Sequence, residues 1–198
     1  MSDADSDTVV VPGGRDVRAT LDAPAAPACL VACPPHPQMG GSRSDQRLRA
    51  VSDALAPEVA CLRFDYGPWD EGTGERTDAE RAVAWARERY DRVGLFGFSF
   101  GGAVALLAAA ETDPGCTSAL APTARLPAGL DAAAALDRIT GPVQVVYGER
   151  DDAADWEPVV ERARGLDCEV AALSADHFFV GQAGKAADRV AAFCHAHL

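Results

Sequence analysis

Short apolar runs alternate with longer amphipathic stretches along most of the chain. Residues 8–11 and 17–21 read as two opening strands around a turn at Gly13-Gly14. Residues 28–33 are wholly apolar and are stopped by Pro34-Pro35, the pattern of a strand buried on both faces. A polar loop leads to a helix over 45–55, with Leu48, Val51 and Leu55 on one face. Residues 59–64 are the next strand. A loop rich in glycine and charge runs from 65 to 76, and a helix follows over 77–89, where Thr77 and Glu80 have capping-box spacing. The apolar run 93–96 reads as a strand, and the small-residue run 103–110 as a helix. Strands are expected over 116–120, 143–147 and 168–173, and helices over 156–164 and 184–197. The stretch 122–142 is weakly patterned, with 131–136 helical; at about 20 residues it is too short for a lid domain of its own. This alternation predicts an α/β fold with a mostly parallel sheet and helices on both faces. Its site belongs at the carboxyl ends of the strands.

The 198 residues fit one domain, 1–198, and can bury one large core; the acidic start, 1–7, is expected to be flexible. No apolar run reaches the roughly 18 residues of a membrane span. The start lacks the basic-then-apolar order of a secretory signal, so a cytoplasmic location is expected. The net charge is −12, with 30 Asp and Glu against 18 Lys and Arg. That balance argues against a nucleic-acid partner, which needs clustered positive charge. The composition, with Lys185 as its single lysine, resembles proteins of salt-loving archaea, in which molar salt screens self-repulsion. An acidic protein from a GC-rich genome is the alternative. The six cysteines form no Cys-x-x-Cys pair. Cys29, Cys33 and Cys61 lie in apolar runs and are expected to be reduced core residues, with no metal site.

Gly97-Phe98-Ser99-Phe100-Gly101-Gly102 joins the 93–96 strand to the helix after it. A serine on such a turn has its hydroxyl forced out at the end of the strand, and Gly97 and Gly101 remove side chains that would collide there. A phosphate-cradling turn is the competing reading, but it belongs near the amino terminus of a dinucleotide fold, and no Gly-x-x-x-x-Gly-Lys-Ser/Thr run exists. A serine needs a base and a group that orients the base. Gly148-Glu149-Arg150-Asp151-Asp152 and Asp176-His177-Phe178-Phe179 each follow an expected strand. His195 and His197 lie on the last helix and His36 precedes the serine, which leaves His177 as the base. Asp151, three residues after Gly148, is the favoured acid; Asp152 and then Asp155 are the alternatives. The expected oxyanion donors are the backbone N–H of Phe100 and one from the loop after the 28–33 strand. Pro37 has no N–H, so Gln38 is favoured there and Met39 is second. His36, with Gly40 and Gly41, is expected to support that loop. Tyr66, Trp69 and Phe178 are candidate pocket residues.

Several pieces together resemble the small, lidless α/β-hydrolases of the dienelactone-hydrolase-like group. They are His36-Pro37-x-x-Gly40-Gly41-Ser42, Arg63-Phe64-Asp65-Tyr66-Gly67, Asp70-Glu71-Gly72, Gly74-Glu75, the Ser99 turn and Asp176-His177-Phe178-Phe179. The resemblance implies an α/β-hydrolase fold without a lid, no cofactor, and hydrolysis of a carboxylic ester or related acyl derivative, small to medium in size, through an acyl-serine intermediate. It also carries a departure: dienelactone hydrolases proper use a cysteine where this chain has Ser99, which puts dienelactone itself in doubt as substrate. An acyltransferase, thioesterase or peptidase would use the same three residues. A binding protein on this fold usually lacks one of them, whereas all three stand here in order.

Overall fold

The computed structural model describes residues 6–15 and 17–198, so most of the acidic start lies outside the described residues. β1 (Ser6–Val11) and β2 (Val17–Asp22) form the expected antiparallel hairpin. Then follow β3 (Ala28–Cys33), α1 (Gln46–Leu55), β4 (Ala60–Phe64), α2 (Thr73–Arg87), β5 (Arg92–Phe98) and α3 (Phe100–Thr112). β6 (Thr117–Leu120) leads through β7 (Arg125–Leu126), β8 (Leu130–Asp131) and α4 (Ala132–Ala135) to β9 (Val143–Gly148). α5 (Glu157–Gly165), β10 (Glu169–Leu173) and α6 (Ala183–His197) complete the order.

One eight-stranded sheet runs β1-β2-β4-β3-β5-β6-β9-β10. β2 pairs antiparallel with β1 and β4, and every other pair is parallel. Alternation along each strand divides the core into two layers. Leu30, Ala32, Phe96 and Leu120 meet α1 and α6 on one face. Cys29, Val31, Leu95 and Ala119 meet α2, α3 and α5 on the other. This is the α/β-hydrolase arrangement. No lid is inserted: residues 122–142 hold only the small β7–β8 hairpin and short helical turns, of which Ala132–Ala135 falls inside the helical stretch expected there. The hairpin itself has no signature in the apolar pattern.

α2 begins one turn earlier than its Thr77–Glu80 spacing suggests. Glu75 is fully buried, and its carboxylate accepts the N–H groups of Gly72 (2.8 Å) and Asp70 (2.9 Å). A buried carboxylate needs such donors, and Gly72, at φ 100°, takes a backbone angle that other residues rarely adopt. Thr77 lies inside the helix and donates to the Thr73 carbonyl. From α2, Asp78 also reaches back, accepting from Gly67 N–H (2.9 Å) and Arg15 Nε (2.9 Å), so both ends of the 65–72 loop are tied down. Five of the six cysteines are buried, Cys168 is partly so, and all six are free thiols. Burial pushes the Cys61 thiol up to about 12, which keeps it protonated and inert. Among the described residues no helix is long and apolar enough to cross a membrane.

Candidate active site

β5 ends at Phe98 and α3 begins at Phe100, leaving Ser99 alone between them at φ 58°, ψ −121°. A serine rarely adopts this conformation, and it persists only where the surroundings enforce it. Ser99 N–H donates to Leu120 O on the neighbouring strand at 2.8 Å. The backbone crowds so closely that a Cβ on Gly97 would lie 1.9 Å from Gly101 O, and one on Gly101 2.3 Å from Cys33 O. Both glycines are therefore required by space, as their spacing about Ser99 suggests.

Ser99 Oγ lies 3.0 Å from His177 Nε2, and His177 Nδ1 lies 2.8 Å from Asp151 Oδ2. A carboxylate only accepts, so Nδ1 carries the ring proton and Nε2 is left to accept from the serine hydroxyl. Asp151 is buried, and its second oxygen accepts the N–H groups of Ala153 and Ala154, both at 3.0 Å. Those bonds hold the carboxylate in one orientation toward the imidazole. Asp152 is exposed and Asp155 lies apart, and neither bonds to the histidine. His177 is itself buried, packed against Phe98 at 5.4 Å between ring centroids and against Phe178 at 5.2 Å. Residues from the ends of β5, β9 and β10 thus meet on one edge of the sheet.

The loop after β3 departs from expectation. His36 caps a short helical turn, Pro37–Met39, and its Nδ1 accepts Gln38 N–H at 3.2 Å. Met39 N–H donates to His36 O at 3.0 Å, as does Gly41 N–H. Gln38 and Met39, the two expected donors, are therefore already engaged within the loop. His36 N–H has no acceptor among the described residues, and His36 lines the same cavity as Ser99 and Phe100. Phe100 N–H, at the first position of α3, has no carbonyl four residues back to bond. The support expected of His36 is present as the Gln38 bond and as ring contacts to Trp69 (4.6 Å) and Phe100 (4.9 Å). Gly41 is pressed against the Pro35 carbonyl, and Gly40, at φ 83°, closes the turn.

Burial holds the His36 imidazole below its ordinary 6.5, outweighing the pull of Glu75. The folded protein thus favours the neutral ring, the form that accepts from Gln38. This contribution is whole above about pH 6.5 and is lost as pH falls through that value toward the lowered one. His36→Asn keeps an acceptor at the cap but does not titrate. Wild type is expected to lose more stability than His36→Asn between pH 7 and pH 5 in urea unfolding. The difference is expected to stay under about 1 kcal/mol, because solvent still reaches the ring. Equal losses would remove this role.

The site opens into a cavity of about 510 Å³. Phe178 lines it, half-exposed. Tyr66 and Trp69 do not; they pack behind its wall. Tyr66 is buried, donates its hydroxyl to Pro34 O (3.1 Å) and meets Phe100 edge-on, while Trp69 packs against the His36 ring at a tilt of 30°. The 65–72 loop therefore braces Phe100 and the loop after β3. Leu126 and Pro127 of the small hairpin and Asp45 and Arg47 at the start of α1 also line the cavity, and none of them stands out as a site residue in the sequence. Asp45 caps α1, its carboxylate accepting Arg47 N–H at 2.8 Å.

The fold is shared with several solved structures. A lidless α/β serine hydrolase from Xanthomonas campestris is 23% identical, with a TM-score of 0.78 over 94% of this chain and 92% of its own. Est1E from Butyrivibrio proteoclasticus is 18% identical, with a TM-score of 0.81 over 98% of this chain and 99% of its own. A dienelactone hydrolase from Anabaena variabilis is 20% identical, with a TM-score of 0.78 over 98% of each. No curated protein matches the chain. The Dienelactone hydrolase family profile matches residues 68–195, most of the chain and the whole stretch that carries Ser99, Asp151 and His177, and on that match the chain belongs to the dienelactone hydrolase family.

Proposed function

We propose that this member of the family is a serine hydrolase that cleaves carboxylic esters through an acyl-serine intermediate. The observation that carries the reading is the continuous relay from Ser99 Oγ to His177 to Asp151, at 3.0 and 2.8 Å. Ser99 Oγ attacks the ester carbonyl as its proton passes to His177 Nε2. Asp151 holds the ring tautomer and stabilises the imidazolium that forms. Negative charge on the carbonyl oxygen falls to the N–H groups of Phe100 and, in place of Gln38, of His36. His177 then delivers its proton to the departing alkoxide. Water enters, His177 deprotonates it, and hydrolysis of the acyl-serine restores the enzyme. The nucleophile is oxygen; no cysteine stands on the turn itself, and Cys33, which pairs with Gly97 beside it, is buried.

The cavity walls are apolar on the side of Met39, Phe98, Leu126 and Phe178, which suits small to medium acyl groups. The acidic, lysine-poor surface supports work in a saline cytoplasm. The test is hydrolysis of p-nitrophenyl esters from acetate to octanoate, in dilute buffer and in multimolar KCl, with labelling by a fluorophosphonate. Turnover is expected across the series, fastest for the shorter chains and higher in salt, with the label on the peptide that holds Ser99. A folded protein that neither turns over any ester nor takes the label would overturn the reading.

A further inference from the structure

Arg47 stands in the wall of the catalytic cavity, yet the relay does not use it. Its side chain is only 11% exposed, and its guanidinium carbon lies 4.4 Å over the ring of Phe98, the same ring that packs against His177. One nitrogen, Nη2, is held by Asp45 Oδ2 at 2.5 Å. Nε is sealed from solvent without an acceptor. Nη1 also has no acceptor among the described residues but is not sealed from solvent, so it is the donor left open on a residue that lines the cavity. A largely buried arginine with unspent donors in the same cavity as Ser99 points to an acceptor on the substrate.

The charge of that acceptor follows from Asp45. Its carboxylate already balances the guanidinium, and an anion brought to Nη1 would face that carboxylate in a partly desolvated site. A neutral oxygen meets no such repulsion and gains a bond to a charged donor. We propose that Arg47 is a specificity-determining residue that binds an uncharged oxygen, an ether, hydroxyl or carbonyl, in the body of the substrate away from the scissile ester. This rests on the esterase reading above. The preferred substrate is then an oxygenated acyl ester, with its hydrocarbon part against Phe98, Phe178 and Leu126.

The test compares p-nitrophenyl octanoate with a series in which an ether oxygen replaces successive methylenes, and with an ester of a dicarboxylic acid of like length. It uses wild type, Arg47→Met and the double variant Asp45→Asn/Arg47→Met, which leaves no orphaned carboxylate. The readout is the kcat/KM ratio of oxa to plain ester, so intrinsic ester reactivity and any general loss in a variant cancel. At one or two oxygen positions the wild-type ratio is expected to exceed that of both variants by about tenfold, the usual weight of a hydrogen bond to a charged group. Ratios equal in wild type and variants at every position would overturn the inference while plain ester turnover upholds the esterase reading. A larger dependence on Arg47 for the dicarboxylic ester would overturn the neutral acceptor. No turnover of any ester would overturn the esterase reading and this inference together.

Discussion

Ser99→Ala is expected to lower ester turnover by about four to six orders of magnitude while leaving the fold and its melting temperature nearly unchanged. The large effect on activity follows from the relay: without Oγ, His177 has no proton to take and the carbonyl has no attacking atom. The small effect on stability follows from the turn. Ser99 is held at φ 58° by its N–H bond to Leu120 and by the packing of Gly97 and Gly101, none of which involves the hydroxyl. Alanine meets the same backbone strain as serine, and the lost side-chain bond is the one to His177. His177→Ala is expected to cost a similar factor. The Ser99→Ala/His177→Ala double variant should fall no further than either single one, because the two groups act as a unit. A double variant slower by the product of the two factors would mean that serine and histidine work independently, and the relay would have to be abandoned. Retained wild-type turnover in Ser99→Ala would remove the nucleophile.

Much of this site is legible in the order of residues along the chain. Strand-turn-helix patterning locates Ser99, and the two later strand ends offer His177 and a short list of aspartates. Spacing favours Asp151 over Asp152; the structure adds burial and two backbone donors that fix its orientation. The departures have a common physical origin, which is that hydrogen bonds already made inside a loop leave no mark in a residue pattern. Gln38 and Met39 have ordinary amides, but the turn capped by His36 engages both. Glu75 falls in the stretch that reads as a loop rich in glycine and charge, yet it is buried as the acceptor that starts α2 a turn early. Tyr66 and Trp69 sit in a loop that borders the cleft, and only their contacts with Pro34, Phe100 and His36 show that they pack behind it. Arg47 carries no sequence signal, because one polar residue at the start of a helix resembles any other.

Gly97→Ala is expected to destabilise the protein by more than about 3 kcal/mol and to cut turnover of any folded remainder at least about a hundredfold. The objection to a side chain here is space. The new methyl would lie 1.9 Å from Gly101 O, 2.3 Å from Gly101 C and 2.7 Å from Gly102 N, all backbone atoms of the first turn of α3. No rotamer change can relieve contact with backbone, so α3 must move off β5. That movement is opposed by the buried apolar face of α3 and by Gly102, which already packs on Pro122. Whatever displacement occurs carries Phe100 N–H and Ser99 Oγ with it, and a shift near 1 Å is enough to spoil the 3.0 Å approach to His177. Gly165→Ala supplies the contrast. Gly165 ends α5, and apart from its chain neighbours and the helix's own backbone nothing lies within 4 Å of the place its methyl would take, so alanine there is expected to be neutral or to stabilise by up to about 1 kcal/mol. Urea unfolding and kcat/KM on a short-chain ester, measured side by side, separate the two substitutions. A Gly97→Ala protein with wild-type stability and turnover would show that the strand-to-helix turn has slack, and the close approach of β5 to α3 could no longer explain how Ser99 is held.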